Sequence, residues 1–220
     1  MWKADVVQTI IAIDGPAGSG KSTLARGLAV ALDLPYVNTG LMYRALAARA
    51  LQRGVDPDDD GALLELLATF RFALDAGASP VALAIDGSPP GPELTSAAVE
   101  GVVSRVARHP GVRAAMRDAQ RLLGAGGGVL EGRDIGTVVF PEAGVKFFLV
   151  AHEDARVARR EAERDGATDV ARLSDRDARD AQVNPFVPAP DAVVLDTTEL
   201  SREETLARAL AEVRRRTGGS

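Results

Sequence analysis

Cysteine is absent from the 220 residues, which excludes a disulfide framework, a thiolate metal site and a cysteine nucleophile. Aromatic residues are scarce at 4%, too few for base-stacking platforms along single-stranded nucleic acid. Long apolar runs are missing too. Phe147-Phe148-Leu149-Val150-Ala151 is among the longest, far short of the ~20 residues a membrane-spanning helix needs. The segment before Asp14 carries one lysine and no long apolar stretch, so it does not read as a signal peptide. A cytoplasmic protein with no membrane partner is expected. Neither sign of charge is in large excess, since 26 Lys+Arg face 31 Asp+Glu for a net −5. That balance disfavours a disordered polyelectrolyte and a nucleic-acid partner alike. Lysine is rare, at Lys3, Lys21 and Lys146 alone, so arginine supplies 23 of the basic residues.

What is there is apolar enough to fold. Hydrophobic residues make up 46%, which supports one packed domain with a small insert rather than two full domains. Ile10-Ile11-Ala12-Ile13, stopped by Asp14-Gly15-Pro16, reads as a buried strand. Leu24, Leu28, Ala31 and Leu32 then recur at helical spacing from Lys21. Pro35-Tyr36-Val37 predicts a second strand, Asn38-Thr39-Gly40 a turn, and Met42 to Leu51 a helix closed by Gly54. Strand, loop, helix and strand at this spacing make a parallel α/β unit. Between Asp56 and Val103 the pattern changes. Phe70–Leu74 and Val81–Ile85 alternate around a Gly/Ser/Pro turn, which predicts an antiparallel hairpin within a separate β-rich insert. Helix returns from Ser96 to Leu123 with a break at Pro110, and Gly128–Leu130, Val145–Ala151 and Ala192–Leu195 predict further core strands. The stretch from Arg156 to Arg179 is dense in charge at helical spacing, and Ser201 with Glu204 opens a last amphipathic helix.

One motif carries chemistry outright. Gly15-Pro16-Ala17-Gly18-Ser19-Gly20-Lys21-Ser22 matches G-x-x-x-x-G-K-[ST] in full, after a predicted strand and opening a predicted helix with Thr23. Glycines let backbone N–H groups converge on phosphate oxygens, and the helix N-terminus adds its dipole. Lys21 would reach the β/γ-phosphates, and the Ser22 hydroxyl would hold Mg²⁺. A guanine-reading Asn-Lys-x-Asp motif is absent, so a GTPase switch is excluded. A small P-loop chain of this kind transfers the γ-phosphoryl group to a small acceptor, and an anionic acceptor needs fixed cations. Candidates stand at strand ends and helix starts: Thr39-Gly40 with Tyr43-Arg44, Arg113 and Arg117 one turn apart, and Gly132-Arg133-Asp134. Open α/β sheets bind ligands at such strand ends. Arginine grips phosphate through its planar fork and keeps its charge. A lone arginine in so arginine-rich a chain is ordinarily a solvated surface residue. Arg133 escapes that reading, because a charged pair beside glycine at a core strand's end rarely serves packing.

Several of these stretches resemble the bacterial cytidylate kinases, within the nucleoside monophosphate kinases. They are Ile13-Asp14-Gly15-Pro16 through Ser22, Thr39-Gly40 with Tyr43-Arg44, and Gly132-Arg133-Asp134-Ile135-Gly136-Thr137-Val138-Val139-Phe140-Pro141. Arg176-Asp177 with Asp180, and Pro185 with Ala189-Pro190-Asp191-Ala192, extend the likeness over nearly the whole chain. The resemblance implies an α/β fold, a five-stranded parallel sheet flanked by helices, in one domain over 1–220. It further implies a nucleoside-monophosphate-binding insert over about 60–103 and a helical lid over about 156–180. The activity implied is ATP- and Mg²⁺-dependent phosphorylation of CMP and dCMP by a monomer. Residue by residue, Arg44, Arg133 and Arg176 would hold the acceptor phosphate or the migrating group. Ser104, Arg113 and Asp134 would read cytosine, Thr39 would line the acceptor site, and Asp180 would meet the ribose. Arg156 and Arg160 would close over ATP. One departure stands out. The family carries an arginine between the residues matching Asp180 and Pro185, where this chain has Ala181-Gln182-Val183-Asn184 and is two residues shorter. His109 and His152 lack companions at ligand spacing and read as structural or surface residues.

Overall fold

The computed structural model describes residues 9–163 and 187–218. Its centre is β1 (Ile10–Asp14), whose Ile11, Ala12 and Ile13 are fully buried. Burial on both faces is what a short branched run achieves inside a parallel sheet. Around it lie α1 (Lys21–Leu32), β2 (Tyr36–Asn38), α2 (Thr39–Arg53) and α3 (Asp60–Leu67). A hairpin of β3 (Phe72–Asp75) and β4 (Ala82–Ile85) follows, then α4 (Ala97–Ala107), α5 (Pro110–Gly124) and β5 (Gly128–Glu131). The chain continues through β6 (Val145–Val150), α6 (Glu153–Glu163), β7 (Val193–Asp196) and α7 (Arg202–Arg216).

Among the described residues the sheet has seven strands in the order β3-β4-β2-β5-β1-β6-β7. The five parallel strands expected from the sequence are β1, β2, β5, β6 and β7. The count rises to seven because the hairpin is not a free-standing sheet. β3 and β4 pair antiparallel, as the alternation predicts, while β4 docks parallel on the edge of β2 through Tyr36 and Ala82. The reason is physical: an isolated two-stranded hairpin is marginal in water. On the edge of β2 it buries Leu83 and Ala84 and covers an open strand.

Helices cover both faces. One core joins α2, α3, α4 and α5 to the sheet through residues such as Met42, Leu46, Leu63, Val103 and Met116. The other packs α1 and α7 through Leu24, Leu28, Ala209 and Val213. Asn38 closes the expected turn differently. Its side chain accepts from the Leu41 N–H at 3.3 Å, an N-cap that starts α2 already at Thr39. Ser201 and Glu204 form the expected reciprocal capping box of α7. The C-terminal ends of β1, β2 and β5, side by side, open onto one crevice.

Candidate functional site

The loop between β1 and α1 approaches other backbone closely. At Gly15 the backbone has φ +143°, and an added Cβ would lie 2.3 Å from the Leu149 carbonyl oxygen. At Gly18 (φ +74°) it would lie 2.8 Å from the Arg156 carbonyl oxygen. Only glycine tolerates both conditions. Gly20 precedes α1 with no side-chain cap, which leaves the first amides of the helix turned to an anion. The Lys21 ammonium donates to the Pro16 carbonyl at 2.7 Å and the Ser19 hydroxyl to the same oxygen at 3.0 Å. Pro16, Ala17 and Gly18 thus bend over the Lys21 side chain as a cradle.

Two buried carboxylates stand at the neighbouring strand ends. Glu131, the last residue of β5, accepts the Ser22 hydroxyl at 2.9 Å and the Tyr36 phenol. Burial raises its pKa, while Lys21 and the two hydroxyl donors oppose the rise. Burial and the Glu131 charge push the Tyr36 phenol up as well. Asp14, the last residue of β1, accepts the N–H groups of Ile135 at 2.8 Å and Gly136 at 2.7 Å. Its pKa is pushed up to about 6 by burial, against the pull of those two amides. Neither carboxylate stands out as a functional group from the sequence alone. The available signal was a charge ending a core strand beside the cradle motif.

Across the crevice, a cavity of about 290 Å³ is lined by Lys21, Ser22, Thr39, Arg44, Ser104, Arg113, Arg133 and Asp134. Eight residues singled out from the sequence, on four helices and the loop after β5, therefore share one space. Thr39 donates to the Glu131 carbonyl at 2.7 Å. Arg44, itself buried, donates to the Leu94 carbonyl at 2.9 Å and to Glu100 at 2.7 Å. Arg113 pairs with Asp134 at 2.9 Å. Burial raises the Asp134 pKa, and Arg113 and Arg117 act against that. Gln120 and Tyr43 line the same cavity, and burial pushes the Tyr43 phenol up to about 12. Neither Gln120 nor Tyr43 is recognisable as a binding group from the sequence alone.

Beside the cradle, Arg156 donates to the Ala17 carbonyl at 3.1 Å. Arg159, three residues on and on the same helical face, reaches the Thr197 hydroxyl at 3.0 Å and lines a second cavity with Gly18, Gly20, Thr23 and Ser201. The family resemblance points to Arg160 instead. The side chain of Arg160, together with Arg176, Asp180 and the shortened stretch up to Pro185, lies outside the described residues. His109 takes a structural place, its Nε2 lying 2.9 Å from the Pro57 carbonyl. Among the described residues no cluster of His, Asp and Glu could hold a metal by itself, and no helix is long and apolar enough to cross a membrane.

Comparison with known proteins adds a second line of observation. The family model described as "Cytidylate kinase" matches residues 11–215. A cytidylate kinase of Thermus thermophilus is 46% identical over 208 residues, covering 94% of this chain and 99% of that one. The cytidylate kinase of Geobacillus thermodenitrificans is 44% identical over 218 residues, covering 94% and 97%. A bifunctional pantoate ligase/cytidylate kinase from a Synechococcus strain is 42% identical over 96% of this chain. The chain spans 42% of that protein's length, and 38% of a second Synechococcus protein of the same description.

Proposed function

The chain belongs to the cytidylate kinase family, and from that premise we propose that it transfers the γ-phosphoryl group of ATP, with Mg²⁺, to CMP and dCMP. The products are CDP or dCDP and ADP. The observation that carries the reading is the single crevice in which the phosphate cradle faces Arg44, Arg113, Arg133 and Asp134.

The residues at the cradle suit Mg²⁺. Ser22 offers a hydroxyl oxygen, and its hydrogen bond to buried Glu131 leaves a lone pair directed away from the carboxylate. Hard oxygen donors close to phosphates are what this ion takes. Held there, the ion would offset negative charge on the ATP phosphates. Glu131 keeps the Ser22 hydroxyl oriented, and Tyr36 holds Glu131. Lys21 leaves the Pro16 carbonyl for the phosphates and follows the transferred group. Arg44 and Arg133 hold the acceptor phosphate, with Arg176 as their third member. Arg156 and Arg160 reach the ATP phosphates from the lid of about 156–180. The insert of about 60–103 brings Ser104's neighbourhood over the acceptor base, and Asp180 takes the ribose. No general base is required, since the acceptor is already an anion. Rate comes from positioning and charge stabilisation.

Base choice follows from donor and acceptor pattern. Cytosine presents an amino group at position 4 and acceptors at N3 and O2, while uracil reverses the first two. The Asp134 carboxylate and Ser104 hydroxyl accept, and Arg113 donates. Uracil would leave buried groups opposed, a strong ground for discrimination. An ADP-release assay across CMP, dCMP, UMP, AMP and shikimate tests this. CMP and dCMP should be turned over far faster than the others. Equal use of UMP would overturn the base-reading roles, preference for AMP or shikimate would assign another small-molecule kinase, and ATP binding without acceptor-dependent ADP would assign a regulatory module.

A further inference from the structure

Asp134 occupies an unusual position. It immediately precedes a π-helical turn, Ile135–Val139, closed by the Val139 N–H to the Asp134 carbonyl at 3.1 Å and the Phe140 N–H to the Ile135 carbonyl at 2.7 Å. An aspartate in that place ordinarily folds its own carboxylate back onto the amide two or three residues on, here Gly136 or Thr137. Asp134 makes no such cap. The amides of Ile135 and Gly136 are taken by Asp14 on β1 instead, one by each carboxylate oxygen. The Asp134 carboxylate lines the cavity, where Arg113 meets it at 2.9 Å.

We propose that Asp14 is a specificity-determining positioning residue, which caps the Ile135–Val139 turn from β1 so that Asp134 is spared for the acceptor base. The proposal rests on the reading of Asp134 and Arg113 as base-recognising groups. Asp14 also sits one residue before Gly15. The same carboxylate therefore ties the ATP cradle to the loop carrying Arg133 and Asp134, and sets the register between donor and acceptor. Two further contacts hold that loop in place. Thr39 grips its start at the Glu131 carbonyl, and Lys146 grips its end at the Pro141 carbonyl. The fit is close, since a Cβ on Gly136 would lie 3.1 Å from Lys146 Cδ and 3.4 Å from Asp14 Oδ2. A buried carboxylate that cost stability and served packing alone would be replaceable. One that fixes where a neighbouring carboxylate points is not.

The test compares full-length Asp14→Asn and Gly136→Ala with Asp134→Ala. An asparagine accepts one of the two amides and turns its own N–H on the other, while Gly136→Ala crowds the turn against the Lys146 stem without altering Asp14. The measurements are kcat/KM for CMP and for UMP, and the Kd of a fluorescent ATP analogue. In both positioning variants the CMP-to-UMP preference should fall about tenfold, the size expected for one misplaced charge-assisted hydrogen bond. The Kd of the ATP analogue should stay within about twofold, because the cradle itself is untouched. A folded variant with an unchanged preference, while Asp134→Ala loses it, would overturn the proposal and leave Asp14 a purely structural group. Equal weakening of CMP and ATP analogue would overturn it as well. If Asp134→Ala keeps the preference, the base-reading assignment falls first and takes this one with it. Should Asp14→Asn fail to fold, Gly136→Ala decides alone.

Discussion

Carboxylates at the mouth of the sheet and carboxylates on the outer surface live in opposite surroundings. At the strand ends, Asp14, Glu131 and Asp134 have pKa values raised, with burial the largest cause in each. On the rim the shifts run the other way. Arg105 holds Asp58 below its usual range, Arg49 does so for Asp86, and the Ser201 N–H does so for Glu204. Rim carboxylates are placed where folding favours their charge. At the crevice burial disfavours the charged form, and hydrogen-bond donors and cations act against that. Groups held at such cost mark the place where chemistry is done.

The largest expected effect comes from removing the cation that balances the crevice. Lys21 opposes the raised pKa of both Asp14 and Glu131, and it stands where the transferred group gathers charge. Lys21→Met should lower kcat by about two orders of magnitude or more, the scale of losing a charge aimed at the transition state. Its circular dichroism should match wild type. Steady-state kinetics at saturating ATP and CMP check this, and near-wild-type turnover would undo the cradle assignment.

The same contrast explains what could be read from sequence. The cradle was legible because its glycines, Lys21 and Ser22 act at fixed local offsets, and the flanking strand and helix follow from local periodicity. Hairpin pairing of β3 with β4 was legible for the same reason. Its docking on β2 was not, because the Tyr36 to Ala82 pairing joins distant segments and leaves no periodic trace. Arginines were easy to nominate, since each has one plain use beside phosphate. Asp14 and Glu131 were not nominated, because their roles depend on Ile135, Gly136, Ser22 and Tyr36, which only the closed sheet brings within reach.

A smaller effect should appear in stability. Asp14 titrates at about 6 in the fold against an ordinary 3.8. Between those values the folded state binds more protons than the unfolded chain, so stability falls as pH rises through that window. At ~1.36 kcal/mol per pH unit the difference comes to about 3 kcal/mol at most. The Asp134 charge adds to the rise, and Lys21 subtracts from it. Urea unfolding of wild type should show stability declining from about pH 4 to 6. In Asp14→Asn that decline should be markedly shallower. An unchanged slope would mean the charge at β1 is not carried against folding after all.

The least effect is expected on the rim. Glu212, in the last turns of α7, bonds Arg215 at 2.7 Å and Arg216 at 2.6 Å, and the Arg215 hydrogen bond leads in lowering its pKa to about 2. A lowered folded pKa gives stability that is present above the ordinary 4.5 and lost as pH falls toward 2. Two opposing facts keep the amount small. Pairs at i,i+3 and i,i+4 on an exposed helix are worth only ~0.3–0.5 kcal/mol each, and a carboxylate near a helix C-terminus is disfavoured by the dipole that Arg214, Arg215 and Arg216 satisfy. Glu212→Gln should therefore destabilise by less than about 1 kcal/mol at pH 7, with the gap shrinking at high salt and closing near pH 2. Its kcat and CMP-to-UMP preference should match wild type, because the pair lies on the outer helix and not at the crevice. A loss above about 2 kcal/mol would exceed what exposed pairs supply and would place Glu212 with the crevice carboxylates rather than opposite them.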